Sequence, residues 1–162
     1  MLRSRAFGRL TVSILTAISL GSAAPFALAA DPPTYRCQGF DEPMNRSPQQ
    51  IGRGRVLPLR AKLVLPDGTF GDDDALTAAP MIVLKYQPES GPEVDKSDGV
   101  EVRDYGKGKS FVFDKEAHWK FDLGTGNLPD DGKYTVSLRS GNDKEYKVDP
   151  TCSLVFNLHG GG

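Results

Sequence analysis

The residues in this chain able to do chemistry are few, and their spacing says what each could do. Cys37 and Cys152 are its two cysteines, and His118 and His159 its two histidines. Two thiols that bracket most of a chain most simply pair as a disulfide when the compartment is oxidising. A histidine would need ligand or triad partners brought beside it, and no Gly-x-Ser-x-Gly elbow is present to supply a nucleophile. Four carboxylates, Asp67, Asp72, Asp73 and Asp74, crowd one segment and could offer oxygens to calcium, but the spacing is not that of an EF-hand loop. Gly108-Lys109-Ser110 ends like a phosphate-binding loop. Arg103 stands where its first glycine is required, however, and an apparent strand follows where a helix is needed. A hairpin turn accounts for these residues. The sequence therefore points to no catalytic, cofactor or metal constellation and to a protein that is not an enzyme; a carboxylate-only hydrolase would need two acids about 5 to 10 Å apart.

Other side chains admit a binding reading beside a structural one. Phe111, Phe113, Trp119, Phe121 and Tyr134 could form a platform for sugar rings, although their period-two placement assigns most of them to a core. Arg46, Arg53, Arg55, Arg60 and Lys62 lie close in sequence and could present a basic face to anionic polymers. Residues 88–98 carry two prolines and read as a loop that an inhibitor of a secreted hydrolase could present.

What positions these groups is a sheet-rich domain behind an export signal. Arg3, Arg5 and Arg9 precede the uncharged run Leu10 to Leu20, and a small-residue stretch ends at Ala27-Leu28-Ala29, the order of a signal peptide. Cleavage is expected after Ala29, or one residue later. The apolar run falls short of the roughly 20 residues a membrane span needs, and no cysteine stands at the cleavage point for a lipid anchor. The expected product is residues 30–162, one domain, secreted or periplasmic, without a stable membrane anchor. Of 20 basic and 21 acidic residues, the leader takes the three arginines, so the mature chain carries a formal charge of about −4. That balance argues against a nucleic-acid binder.

Gly and Pro supply 18 and 12 residues, and alternation dominates between them. Leu57, Leu59, Ala61, Leu63 and Leu65 fall on one face of a strand, with Pro58, Arg60 and Lys62 opposite; Pro58 suggests a strand start or an unpaired edge. The same period places Ala117, Trp119, Phe121 and Leu123 inward and His118, Lys120 and Asp122 toward water. It recurs at Tyr134, Val136 and Leu138, and at Cys152, Leu154, Phe156 and Leu158, aiming the Cys152 sulfur at a core where Cys37 can meet it. With Tyr35 to Phe40, Met81 to Gln87, Val100 to Asp104 and Ser110 to Asp114, about eight strands are expected, separated by turns such as Asp67-Gly68 and Asp131-Gly132. Asp130, Gly132 and Tyr134 have the spacing of a tyrosine corner, and Val136 stands where antibody domains carry their second cysteine. The expected fold is an all-β, immunoglobulin-like antiparallel sandwich of 7–8 strands.

Four segments, Glu42-Pro43-Met44, Pro58-Leu59-Arg60-Ala61, His118-Trp119-Lys120-Phe121-Asp122-Leu123 and Asp131-Gly132-Lys133-Tyr134-Thr135-Val136, resemble PxKF-type immunoglobulin-like modules of exported bacterial proteins. The resemblance spans about 115 residues, is closer in the second half, and has Arg60 and Ala61 where the family has Lys and Phe. It implies the architecture of an accessory module without chemistry of its own. The lack of an acid-base or nucleophile set in the sequence is what sets the expected role, binding a protein or glycan or serving as a structural part of the envelope. An exposed edge at Pro58 to Leu65 is one expected route for a partner strand.

Overall fold

Period-two burial organises the chain into strands. In the computed structural model, which describes residues 30–129 and 131–160, these strands are β1 (Thr34–Phe40), β2 (Gln49–Gly52), β3 (Val56–Val64), β4 (Met81–Gln87), β5 (Val94–Asp95), β6 (Glu101–Val102), β7 (Val112–Phe113), β8 (Trp119–Gly124), β9 (Gly132–Arg139), β10 (Lys147–Val148) and β11 (Ser153–His159). A single turn of 3-10 helix at Ser97–Gly99 is the one helical element among the described residues. Residues 1–29, where the signal peptide is expected, Asp130 and the last two glycines lie outside the described residues.

One sheet runs β10-β1-β3-β8-β6, with β7 also on β8, and the other runs β2-β11-β9-β4-β5. The order β1-β3-β8-β6 is the A-B-E-D sheet of an immunoglobulin domain, and β11-β9-β4-β5 is its G-F-C sheet extended by C′. The fold is therefore an immunoglobulin-like β-sandwich. Its main ladders are antiparallel, while β10 joins β1 and β2 joins β11 in parallel. The inner faces interdigitate Leu57, Leu59, Ala61, Trp119, Phe121 and Leu123 from one sheet with Ile82, Leu84, Tyr134, Val136, Leu154 and Phe156 from the other. Tyr134 stacks on Phe156, with ring centroids 5.3 Å apart.

Three expectations are corrected. The Pro58 to Leu65 strand is not an edge: β3 lies between β1 and β8. Proline is tolerated there because its own backbone faces away from β8. Opposite it, Asp122 directs its N–H to the Tyr105 carbonyl and its carbonyl to the Arg103 N–H, on the β6 side, so Pro58↔Asp122 is a non-hydrogen-bonded pair and no ladder donor is lost. The β1 ladder on the other side of β3 reaches only to Ala61. Secondly, residues 88–98 are not a long free loop. Val94–Asp95 pairs with Lys85 and Tyr86, and buried Ser97 Oγ accepts the Leu84 N–H at 2.9 Å, which leaves a short tip at 88–93. Thirdly, His118, Lys120 and Asp122 do stand on the outer face of β8, but neighbouring loop residues cover them, and their side chains are only 14, 13 and 7% exposed.

Candidate functional site

The β7–β8 hairpin gathers the densest set of charged side chains. Phe113 pairs with Trp119, and the turn between them closes through Asp114 N–H to the His118 carbonyl, 3.0 Å, and Ala117 N–H to the Asp114 carbonyl, 3.2 Å. Asp114 Oδ1 accepts the N–H groups of Glu116 and His118, both at 2.9 Å; turns favour aspartate for this reason. Ala117 takes the left-handed region at φ 62°, the residue that completes a three-residue hairpin loop and is more commonly glycine.

This turn brings His118 between two carboxylates. Its Nε2 lies 2.8 Å from Asp41 Oδ2, and its Nδ1 lies 3.7 Å from Asp114 Oδ1. Lys120 pairs with the other Asp114 oxygen. Burial pushes the Asp114 carboxyl up, but Lys120 and the two backbone donors outweigh it and hold the group below the usual carboxylate range. A carboxylate accepts only, so Nε2 carries the proton toward Asp41. Asp41 follows β1, 77 positions from His118, and nothing in the sequence signals that pairing. The Asp114-x-Glu116-x-His118 spacing was legible, yet sequence reasoning passed over it.

Beside the hairpin, the outer face of the first sheet holds an aromatic ring between cations. Arg60 and Lys120 approach the Tyr105 ring at 5.8 and 5.2 Å from its centroid. Beneath them Asp122 Oδ1 is buried without a hydrogen bond, 4.0 Å from Arg60. Burial raises its carboxyl above the ordinary value, with Arg60 opposing. An acid whose folded pKa is raised binds its proton more tightly when folded, so this group lowers stability as pH rises from the unfolded value through the folded one. Asp122→Asn, which removes the buried charge while keeping the side chain's shape, is expected to be more stable than wild type by on the order of 1 kcal/mol near neutral pH, because burial costs more for a charged group than for a neutral polar one. The gain should vanish at about pH 3, below the carboxylate range. Urea denaturation at both conditions checks this, and a gain that persists in acid would refute the ionisation argument.

The second sheet offers a different surface. Across β11, β9 and β4 the outward residues align in rows: Ser153, Ser137 and Val83, then Val155, Thr135 and Lys85, then Asn157, Lys133 and Gln87. Gln50 of β2 extends the last row. A shallow groove crosses this face beside Lys85, Thr135, Ser137, Arg139 and Ser153.

The remaining sequence candidates are dispersed. Asp67 and Asp72 cap local turns through the Thr69 and Ala75 N–H groups, and Asp73 and Asp74 point to solvent. The only group of three potential ligands within 4.8 Å among the described residues is Asp114, Glu116 and His118. Lys107 and Ser110 exchange backbone hydrogen bonds around Gly108-Lys109, a hairpin turn, and Lys109 pairs with Asp98. Of the five cations near residue 55, Arg53 pairs with Asp131 at 2.5 Å and Arg60 lies against Asp122. Phe111, Trp119, Phe121 and Tyr134 are core, with Phe113 packed at its margin. Tyr134 sits near the start of β9 at the corner following β8, with Gly132 at φ 135° before it; Asp130 falls outside the described residues. His159 is exposed at the end of β11. Cys37 and Cys152 form a disulfide, Cα atoms 5.2 Å apart, that links β1 of one sheet to the start of β11 in the other.

No protein-family model and no curated protein sequence matches the chain. Among solved structures it is similar to the Lin-41 filamin domain, with 14% identity over 70% of this chain and 86% of that one and a TM-score of 0.40. It is also similar to the RIG-5 IG1 homodimer, with 11% identity over 81% of this chain and 99% of that one and a TM-score of 0.34.

Proposed function

We propose that this chain is an exported, non-enzymatic immunoglobulin-like module of the PxKF type, secreted or periplasmic, that binds a protein or glycan through the outer face of β4, β9 and β11. The observation that carries the reading is the composition of that face. Its centre is hydroxyl, amide and β-branched side chains on three paired strands, with Lys85, Lys133 and Arg139 among and around them. Such a surface is rigid and costs little side-chain entropy to engage, because Ser, Thr and Val have few rotamers to lose. Its hydroxyls and amides supply both donors and acceptors. The two histidines lie apart, His118 in the β7–β8 turn between Asp41 and Asp114 and His159 exposed at the end of β11.

The test is retention of envelope and culture-medium components on immobilised wild-type protein against the Thr135→Arg/Ser137→Arg double variant. Wild type is expected to retain a specific protein or polysaccharide, and the variant, still folded by circular dichroism, to lose at least tenfold of that retention, about 1.4 kcal/mol. Equal retention by both proteins would exclude this face. The same preparation offered to a panel of secreted hydrolases tests the alternative use of the 88–98 segment. Its tip is held at the base by the Lys85–Glu93 ion pair, 2.8 Å, and by Gln87 Nε2 donating to the Pro88 and Gly91 carbonyls, the rigidity an inhibitory loop requires.

A further inference from the structure

We propose that the β7–β8 hairpin is a binding site for a zinc-class divalent cation, with His118 Nδ1 and the carboxylates of Asp114 and Glu116 as ligands and Asp41 as the group that orients the histidine. Three observations converge. With the Nε2 proton committed to Asp41, Nδ1 is left facing Asp114, fully buried and without a hydrogen-bond partner. The 3.7 Å between Nδ1 and Asp114 Oδ1 is too long for a hydrogen bond. It is close to the roughly 3.4 Å that separates two ligands bound at about 2.1 Å to a tetrahedral zinc. The Glu116 carboxylate completes a set whose ligand atoms all lie within 4.8 Å of one another, and because Glu116 is exposed its side chain is free to close the remaining distance.

The second shell and the charge agree with this assignment. A metal-bound histidine commonly donates its other ring N–H to a carboxylate, which fixes the tautomer and ring orientation, and Asp41 does this at 2.8 Å. Asp41, Asp114 and Glu116 place three negative charges around the site against the two positive charges of Lys115, in the same turn, and Lys120, which holds the other Asp114 oxygen, so the balance stays negative. A divalent cation compensates the excess. One imidazole with two carboxylates suits zinc better than calcium, which prefers six to eight oxygens. Three protein ligands leave a further position to solvent. The site lies on the first sheet, away from the face proposed for partner binding, and stands or falls independently of it.

The experiment is zinc titration of the untagged, disulfide-intact protein by competition with a chromophoric chelator, with calcium as the hard-cation control. Binding is expected at one zinc per chain, unaffected by excess calcium. His118→Gln should weaken it at least tenfold and Asp41→Asn by about tenfold, the usual range for an outer-shell partner. His159→Gln should leave it unchanged, since the chain has only these two histidines. Nitrogen-15 spectra should show the His118 Nδ1 resonance shifting on zinc addition with the His159 ring unmoved, a readout that does not depend on any variant folding. Absence of zinc binding, binding that survives His118→Gln, or binding lost with His159→Gln would each overturn the proposal.

Discussion

Replacing Cys37 and Cys152 together by alanine is expected to lower the unfolding free energy by about 4 to 5 kcal/mol, the chain-entropy cost of releasing a loop of this length. The bridge spans 115 positions, nearly the whole described domain, and crosses from one sheet to the other. Without it β1 is held by a short ladder to β3, interrupted by a register shift between Cys37 and Phe40, by two parallel pairs with β10, and by burial of Tyr35 and Phe40. Tyr35 meets Tyr146 edge-on at 5.8 Å, so that corner of the core should loosen with the strand. Urea denaturation of oxidised wild type and the double variant measures the loss, and amide exchange should rise first in β1. A loss below about 1 kcal/mol would mean that the unfolded chain already keeps its ends together, contrary to the loop-entropy account.

The parts of this molecule that were legible from residues alone are those governed by burial. Leu57, Leu59, Ala61 and Leu63 alternate because one face of β3 is packed and the other is not, and Cys152, Leu154 and Phe156 do the same on β11, which is why the sulfur could be aimed at the core. Strand neighbours were less legible. Period-two alternation does not say which strand lies alongside, so Pro58 suggested an edge when its backbone only faces past the end of the β1 ladder. β2, β5 and β10 are too short for alternation to show, with Ile51 and Val148 packing only at the margin of the core. They are placed by backbone pairing with β11, β4 and β1, and backbone hydrogen bonds leave no mark on composition. The candidate metal site divides along the same line. Asp114, Glu116 and His118 are local in sequence and share one turn, whereas Asp41 reaches His118 only because β1 and β8 flank β3. The covering of His118 and Asp122 was likewise invisible, because it comes from Asp41 and Tyr105, which lie in other segments.

Trp119→Ala is expected to cost about 3 to 5 kcal/mol, the range for truncating a buried large aromatic residue, and the reason is architectural as well as volumetric. The Trp119 side chain is buried and packs on Phe113 at 5.1 Å between centroids. Its indole N–H donates to the Gly71 carbonyl at 2.6 Å, while the Gly71 N–H donates to the Leu63 carbonyl at 2.9 Å. Those two bonds fasten the aspartate-rich segment between β3 and β4 to the first sheet. Gly71 is itself fitted closely against Tyr35, since a Cβ there would come within 2.7 Å of the ring. Trp119→Phe keeps most of the apolar volume but strands the Gly71 carbonyl, and should cost about 1 to 3 kcal/mol. Denaturation of both variants separates the cavity from the hydrogen bond: equal losses would assign the effect to the lost bond alone. Because successive side chains on β8 point to opposite faces, Trp119→Phe should leave the His118 side unchanged. A phenylalanine variant that lost zinc binding while remaining folded would show that the two faces of β8 are coupled through its backbone.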